Sequence, residues 1–295
     1  MSKNKIVLLL IAFLIIIGSA VLTGCNKRAE SLTSEDISKQ TSTMSEVNAS
    51  VVKVGDYVSF GSYHDEPILW RVVKVTDGKP LLWSVNILTA KCFDSSESGV
   101  ASSGETNAQK YGSNLWSNSN IREWLNTAGS VEWSTQPPIK EAMWGNNDYD
   151  TEDGFLTDFS GYERGLIVST ERRIYNTDDE LIETTQDMVF LASRNEIQNG
   201  GEWGFNSVID RKKTPTEKAM ENNKNEYPDF RLACWYYLCS QGTGNNAWQI
   251  HGVRDEGDFF VGAPYESYFG IAPALQISSS IPKEGNGTEE APWIF

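Results

Sequence analysis

The chain has 295 residues, with 40 acidic against 25 basic side chains and a formal net charge of −15. That balance argues against nucleic acid as a partner. It also argues against direct attraction to anionic lipid or wall polymer, which would need a bridging cation. Apolar residues make up 39% and aromatic residues 11%, and a chain of this length buries a sizeable core without disulfide staples.

Lys3 and Lys5 precede an unbroken apolar run, Ile6 to Ile17, with no acid nearby, which is the pattern of an export signal. Apolar character continues to about Gly24, so a membrane-spanning helix is the competing reading. Leu22-Thr-Gly-Cys25 resembles a bacterial lipobox. The resemblance implies a signal peptide over 1–24, a lipidated Cys25 as first mature residue, and anchorage at the extracytoplasmic face of the cell membrane. Loss of Lys3 and Lys5 then takes the charge from −15 to −17. Residues 25–50 are rich in Ser, Thr, Glu and Lys and hold no ring, as expected of a disordered tether. A flexible coil of that length would reach about 28 Å on average.

The folded domain is expected over 51–280. Val54 to Gly61, Ile68 to Val75 and Pro80 to Val85 read as three strands of an antiparallel meander. Gly61 to Pro67 makes the first turn, and Asp77-Gly78 signals the second. Val100 to Ser113 is a polar loop. Asn120 with Glu123 caps a helix to Asn126, and Pro138 to Trp144 forms a second helix. Met188 to Ala192 is a short buried strand, followed by a helical turn boxed by Ser193 and Glu196. Thr214-Pro-Thr-Glu217 starts a helix running to about Glu221. Ala233 to Ser240, apolar on both faces, is a buried central strand, and Gly270 to Ile277 closes the domain. Residues 281–295 are a tail, frayed or docked by Trp293 and Phe295. Strands at both ends with helices between them read as α+β.

Gly55-Asp-Tyr-Val-Ser-Phe-Gly-Ser62, Pro67 to Val72, Asn120 to Asn126, Val189 to Ile197 and Thr214 to Ala219 occur in that order. Together they resemble a widespread, uncharacterised bacterial domain family. Its members end with a Trp-Trp-Leu-Arg-Ser-Pro-Gly strand and a Gly-Val-Arg-Pro-Ala strand. The similarity covers Val51 to Ile277. The family in turn resembles the C-type-lectin-like superfamily, which includes sugar binders, ligand-display proteins and formylglycine-generating oxidases. That implies a C-type-lectin-like domain: a mixed, mostly antiparallel sheet with few short helices and long loops. The chain departs from the pattern at Cys239 and Ala272, where the family has Arg.

Three sets of residues compete for function. The rings from Trp248 to Phe269 would stack on a glycan, cell-wall fragment or surface protein, with Trp248, His251, Phe259 and Tyr265 as contacts. Asn245, Asn246, Gln249, Arg254 and Asp255 are near enough in sequence to orient its polar groups. The competing reading is that these rings cover the sheet of a structural surface protein with no small ligand, and that His64 and His251 are ordinary surface or loop residues. Cys234 and Cys239 match the spacing of the active cysteines in formylglycine-generating enzymes, so the resemblance admits a Cu(I)-dependent thiol oxidase. On a straight strand the two thiols would face opposite ways, with Cα atoms about 17 Å apart, against about 7 Å for a disulfide. Cys92 leaves the mature cysteine count odd, so the inert alternative is three buried thiols. Asn146 to Gly154, with Asp148, Asp150, Glu152 and Asp153, gathers oxygen ligands suited to a structural Ca²⁺. It lacks EF-hand spacing, and a solvated acidic loop is the alternative. No other cofactor is implied.

Overall fold

The computed structural model describes residues 51–145, 149, 152–176, 178–223, 234–246 and 248–295. Cys25, the tether, Asp148 and Asp150 lie outside the described residues. No described helix is long and apolar enough to cross a membrane.

The elements run β1 Tyr57–Tyr63, β2 Glu66–Thr76, β3 Lys79–Ser84, β4 Thr89–Ala90, α1 Asn107–Tyr111, α2 Asn120–Leu125, β5 Ala128–Gly129 and β6 Gly154–Phe155. Then come α3 Gly161–Leu166, β7 Ile167–Val168, β8 Thr170–Tyr175, β9 Leu181–Asp187, β10 Val189–Leu191, α4 Arg194–Ile197 and α5 Glu217–Asn223. The chain closes with β11 Tyr236–Gln241, β12 Ile250–Val253, β13 Phe259–Gly262, β14 Gly270–Ile271, β15 Pro273–Ile277 and β16 Trp293–Ile294. Helices are few and short, and the fold is α+β.

Two sheets carry the core. The larger has the order β10-β15-β3-β2-β1-β16, with β7 also on β15, and the smaller β13-β12-β11-β14-β4. Only the β1–β16 and β11–β14 pairs within them are parallel, so both sheets are mixed and mostly antiparallel. The expected meander is β1-β2-β3. Its second turn has Asp77 and Gly78 at φ 51° and 72°, the two positive values that a type I′ hairpin requires. The first turn differs from expectation. His64 and Asp65 make it, at φ 51° and 64°, and β1 runs on past Gly61. That glycine marks a register shift inside β1, where a Cβ would overlap the Phe159 ring. It is a bulge residue chosen for close packing.

β11 is central in its sheet and all six of its residues are buried. It starts at Tyr236, after Cys234 and Trp235, whereas the sequence reading began it at Ala233, which lies outside the described residues. Cys239 N donates to Ala192 O at 3.0 Å, and Trp83 of the larger sheet meets Tyr236 edge-on at 6.1 Å. The run Gly270 to Ile277 serves both sheets, with buried Ala272 at the crossover. Trp70, Trp116, Trp124, Tyr236 and Tyr237 are among the largest fully buried side chains. Each such ring removes roughly 150–250 Å² from water, about 4–6 kcal/mol before entropy is counted. At the carboxyl end β16 pairs with β1, and Trp293 and Phe295 are buried.

Several caps differ from the sequence reading. Ser119 caps α2, while buried Asn120 turns its side chain to Ser95 N. Thr216 Oγ1 accepts from Ala219 N ahead of α5, and Pro215 bridges Ile87 instead of opening the helix. Pro138 to Trp144 holds only a 3-10 turn at Lys140–Ala142. The Ser193–Glu196 box forms as expected.

Candidate ring-lined cleft

Over the smaller sheet lies a cleft of about 340 Å³. Its floor is made of Phe260, Phe269 and Tyr265, all buried. Its walls are rings left partly open to solvent: Tyr111 at the end of α1, Trp144, Trp235 and Trp248. Trp144 is 53% exposed, an unusual state for an indole.

The rings come from four distant segments, and backbone bonds hold three of them together. Trp144 N donates to Tyr265 O, and Tyr265 N donates to Tyr111 O, both at 2.9 Å; Ser267 N returns to Trp144 O. From below, the hydroxyl of buried Tyr237 on β11 reaches Ala263 O at 2.6 Å and Glu266 O at 3.1 Å. The rings then fall into two banks. Tyr111 lies 4.8 Å from Trp248 and 5.4 Å from Tyr265, and Tyr265 meets Trp144 edge-on at 5.9 Å. In the other bank Trp235 lies 5.1 Å from Phe260 and is parallel to Phe269 at 6.2 Å. Gly252 makes room for this bank, because a Cβ there would overlap Phe260.

Polar groups border the cleft at Gln249, Arg254 and Glu266. Glu266 is held as a fixed acceptor by the Tyr268 hydroxyl at 2.8 Å and Ala263 N at 2.9 Å. Burial pushes its pKa above the usual carboxylate range, and those two donors only partly offset the rise. Arg254 lies over the Trp235 ring at 5.0 Å, and Asp255 Oδ1 accepts from Trp235 Nε1 at 3.0 Å.

Of the residues singled out in the sequence, Trp248, Gln249, Arg254 and Tyr265 meet in this cleft, and Asp255 supports it through Trp235. Phe259 does not border it; that ring lies under the guanidinium groups of Arg194 and Arg211. His251 is neither a contact nor a surface residue. It is 6% exposed, and burial, helped by Arg194, lowers its pKa to about 4. The side chain is therefore a neutral imidazole at neutral pH. Asn245 and Asn246 sit on an exposed 3-10 turn before Trp248 and do not line the cleft. The sequence reading omitted Tyr111, Trp144, Trp235 and Glu266. Tyr111 and Trp144 lie more than 90 residues from the ring-dense run, beyond any local pattern.

The described members of the other two sets are not drawn together. Among the described residues no group of three His, Cys, Asp or Glu side chains converges as a metal site would need. In the acidic loop, Glu152 pairs with the ammonium of Lys91 and accepts from the Tyr63 hydroxyl at 2.8 Å. The Asp153 carboxylate accepts from Ser130 Oγ. Burial pushes the Cys239 thiol up to about 12, against the pull of neighbouring Arg172. Burial and Asp255 raise Cys234. Both shifts disfavour the thiolate that metal binding or redox attack requires. Cys239 thus lies beside Arg172 and Cys234 near Asp255, and no disulfide joins them.

A family model described as Domain of unknown function (DUF6273) matches residues 77–279, and the chain belongs to that family. The matched span contains every residue of the cleft. No curated protein and no solved structure gives a significant match.

Proposed function

We propose that this member of the DUF6273 family is a binding module whose cleft takes a glycan or cell-wall fragment. In this reading the domain has a C-type-lectin-like arrangement, and a lipid on Cys25 anchors it to the extracytoplasmic face of the bacterial membrane. The observation that carries the proposal is the pair of solvent-open indoles, Trp144 and Trp248, standing over a buried aromatic floor beside the fixed carboxylate of Glu266. A sugar presents flat C–H faces that rings cover and hydroxyls that such a carboxylate accepts from. A shallow site on loops above a rigid sheet suits recognition at a surface. The acidic surface steers long polyanions away and leaves neutral or sparsely charged sugars.

Glycan-array binding of the full-length protein tests this, with Trp144→Ala and Trp248→Ala as controls. Covering about 60 Å² of one ring face contributes about 1.5 kcal/mol, so each variant should lose roughly tenfold in affinity. An array profile unchanged by both variants would remove the glycan reading.

A further inference from the structure

Among the described residues, the buried guanidinium groups of Arg172 and Arg211 and the half-buried one of Arg122 are occupied by the protein's own oxygens. Arg172 takes Glu196 in two bonds of 2.6 Å, Arg122 takes Asp187, and Arg211 is bound by the Gly257 carbonyl and Asn199. Arg254 differs. Its backbone is fixed in the β12–β13 turn, where Arg254 N donates to Asp258 O and Gly257 N to Arg254 O. Its guanidinium lies 5.0 Å from the Trp235 ring and 5.9 Å from the Phe260 ring, at the border of the cleft. Among the described residues it forms no ion pair and no side-chain hydrogen bond. The nearby acids are engaged elsewhere or point to solvent: Asp255 is bound to Trp235 Nε1, Glu266 to Tyr268 and Ala263, and Glu256 and Asp258 are exposed.

A guanidinium lying over an aromatic ring keeps its in-plane N–H fork open, because the ring occupies only the face of the cation. That fork matches a planar carboxylate in two parallel, charge-assisted bonds. Resting on the glycan reading of the cleft, we infer that the ligand is an acidic sugar and that Arg254 takes its carboxylate. One cation serves one anion. In a chain of net charge −15, with Asp255, Glu256 and Asp258 beside the fork, a polymer with many phosphates meets repulsion at every further charge. A sugar with a single carboxylate meets the fork and otherwise offers neutral hydroxyls. Glu266 sets the orientation: it repels the ligand's acid group towards Arg254 and accepts from hydroxyls instead.

The test is calorimetric titration of the full-length protein with an oligosaccharide ending in a uronic acid, with its methyl ester, and with the matching sugar phosphate. The acid should bind about tenfold more tightly than the ester, the worth of a charge-assisted pair at a partly exposed site. Arg254→Gln should weaken the acid about tenfold and the ester much less; the side chain is exposed, so the fold is not at risk. Equal binding of acid and ester, or equal weakening of both by Arg254→Gln, overturns the inference while the glycan reading stands. Tighter binding of the phosphate overturns the choice of a carboxylate. Binding of none of the three overturns this inference and the glycan reading together.

Discussion

Replacing Glu196 with Gln tests the energetic core of the two-sheet arrangement. Glu196 and Arg172 are 5% and 8% exposed, and their bidentate pair lies across Phe190, whose ring centroid is 3.9 Å from the guanidinium carbon. Glu196 Oε2 also accepts from Ser193 N at 2.7 Å, closing the capping box of α4. Gln has the same size but only one acceptor oxygen. Its amide would set N–H groups against those of Arg172 or Ser193 and leave the guanidinium charge unpaired. Breaking a buried pair in this way costs about 3–5 kcal/mol. For a domain of this size that lowers Tm by roughly 6–20 °C. Adding Arg172→Met should recover most of the loss, because the penalty is the stranded charge and not the missing attraction. The pair also sets an acid limit. Burial raises the pKa of Glu196, but Arg172 and the Ser193 N–H outweigh it and hold the group below the usual range. A depressed carboxylate contributes stability above its unfolded pKa of about 4.3 and loses it as pH falls through the folded value. Wild type should therefore weaken in acid more steeply than the Gln variant. Urea denaturation midpoints across pH 3 to 7 measure both effects. A loss under about 1 kcal/mol at pH 7, or a double variant as unstable as the sum of the singles, would refute the reasoning.

Two further outcomes are expected. Asp94 is 2% exposed, and burial raises its pKa to about 8 even though Ser113 N and Asn120 N donate to it. A raised carboxylate contributes stability that is complete below pH 4 and lost as pH climbs through 8. The stability of wild type relative to Asp94→Asn should therefore fall by up to about 1.4 kcal/mol per pH unit across that window, and a constant difference would contradict the assignment. Gly252→Ala should cost about 1–3 kcal/mol by driving Phe260 off its seat. It should also weaken ligand binding, read as a lower urea midpoint together with a higher Kd.

The sheet framework was legible because strands declare themselves locally. Asp77-Gly78 dictates its turn, and alternation in Tyr57 to Phe60 dictates a face. The aromatic filling of Tyr236 to Ser240 likewise dictates burial on both sides. The 3-10 turn that stands in place of the helix predicted over Pro138 to Trp144 was not legible, because tertiary bonds decide that segment: Trp144 is claimed by Tyr265 and Ser267. The β8–β9 hairpin was missed for a related reason. Its alternating Thr, Glu and Arg look like a solvated loop until Arg172 is seen to reach inward. That reach also changes the meaning of Cys239. Arg172 brings a guanidinium from β8 to that buried thiol, and burial still outweighs its pull.

The cleft was half legible, because only one of its walls is local in sequence. The ring-dense run Trp248 to Phe269 announces a surface, but a concavity needs a second wall, and here that wall comes from Tyr111 and Trp144. Those two rings hang from the Tyr265 loop by main-chain bonds, so their placement does not depend on which side chains they carry. The anchor of that loop is the Tyr237 hydroxyl, which reads only carbonyl oxygens. Scaffold and cleft surface are therefore separable: β11 fixes where the loops stand, whichever rings they bear. The two kinds of substitution should consequently part company. Loss of the Tyr237 hydroxyl, which removes its bonds to Ala263 O and Glu266 O, should loosen the cleft and the fold together, whereas exchange of Trp144, Trp248 or Arg254 should alter what is bound and leave the domain standing.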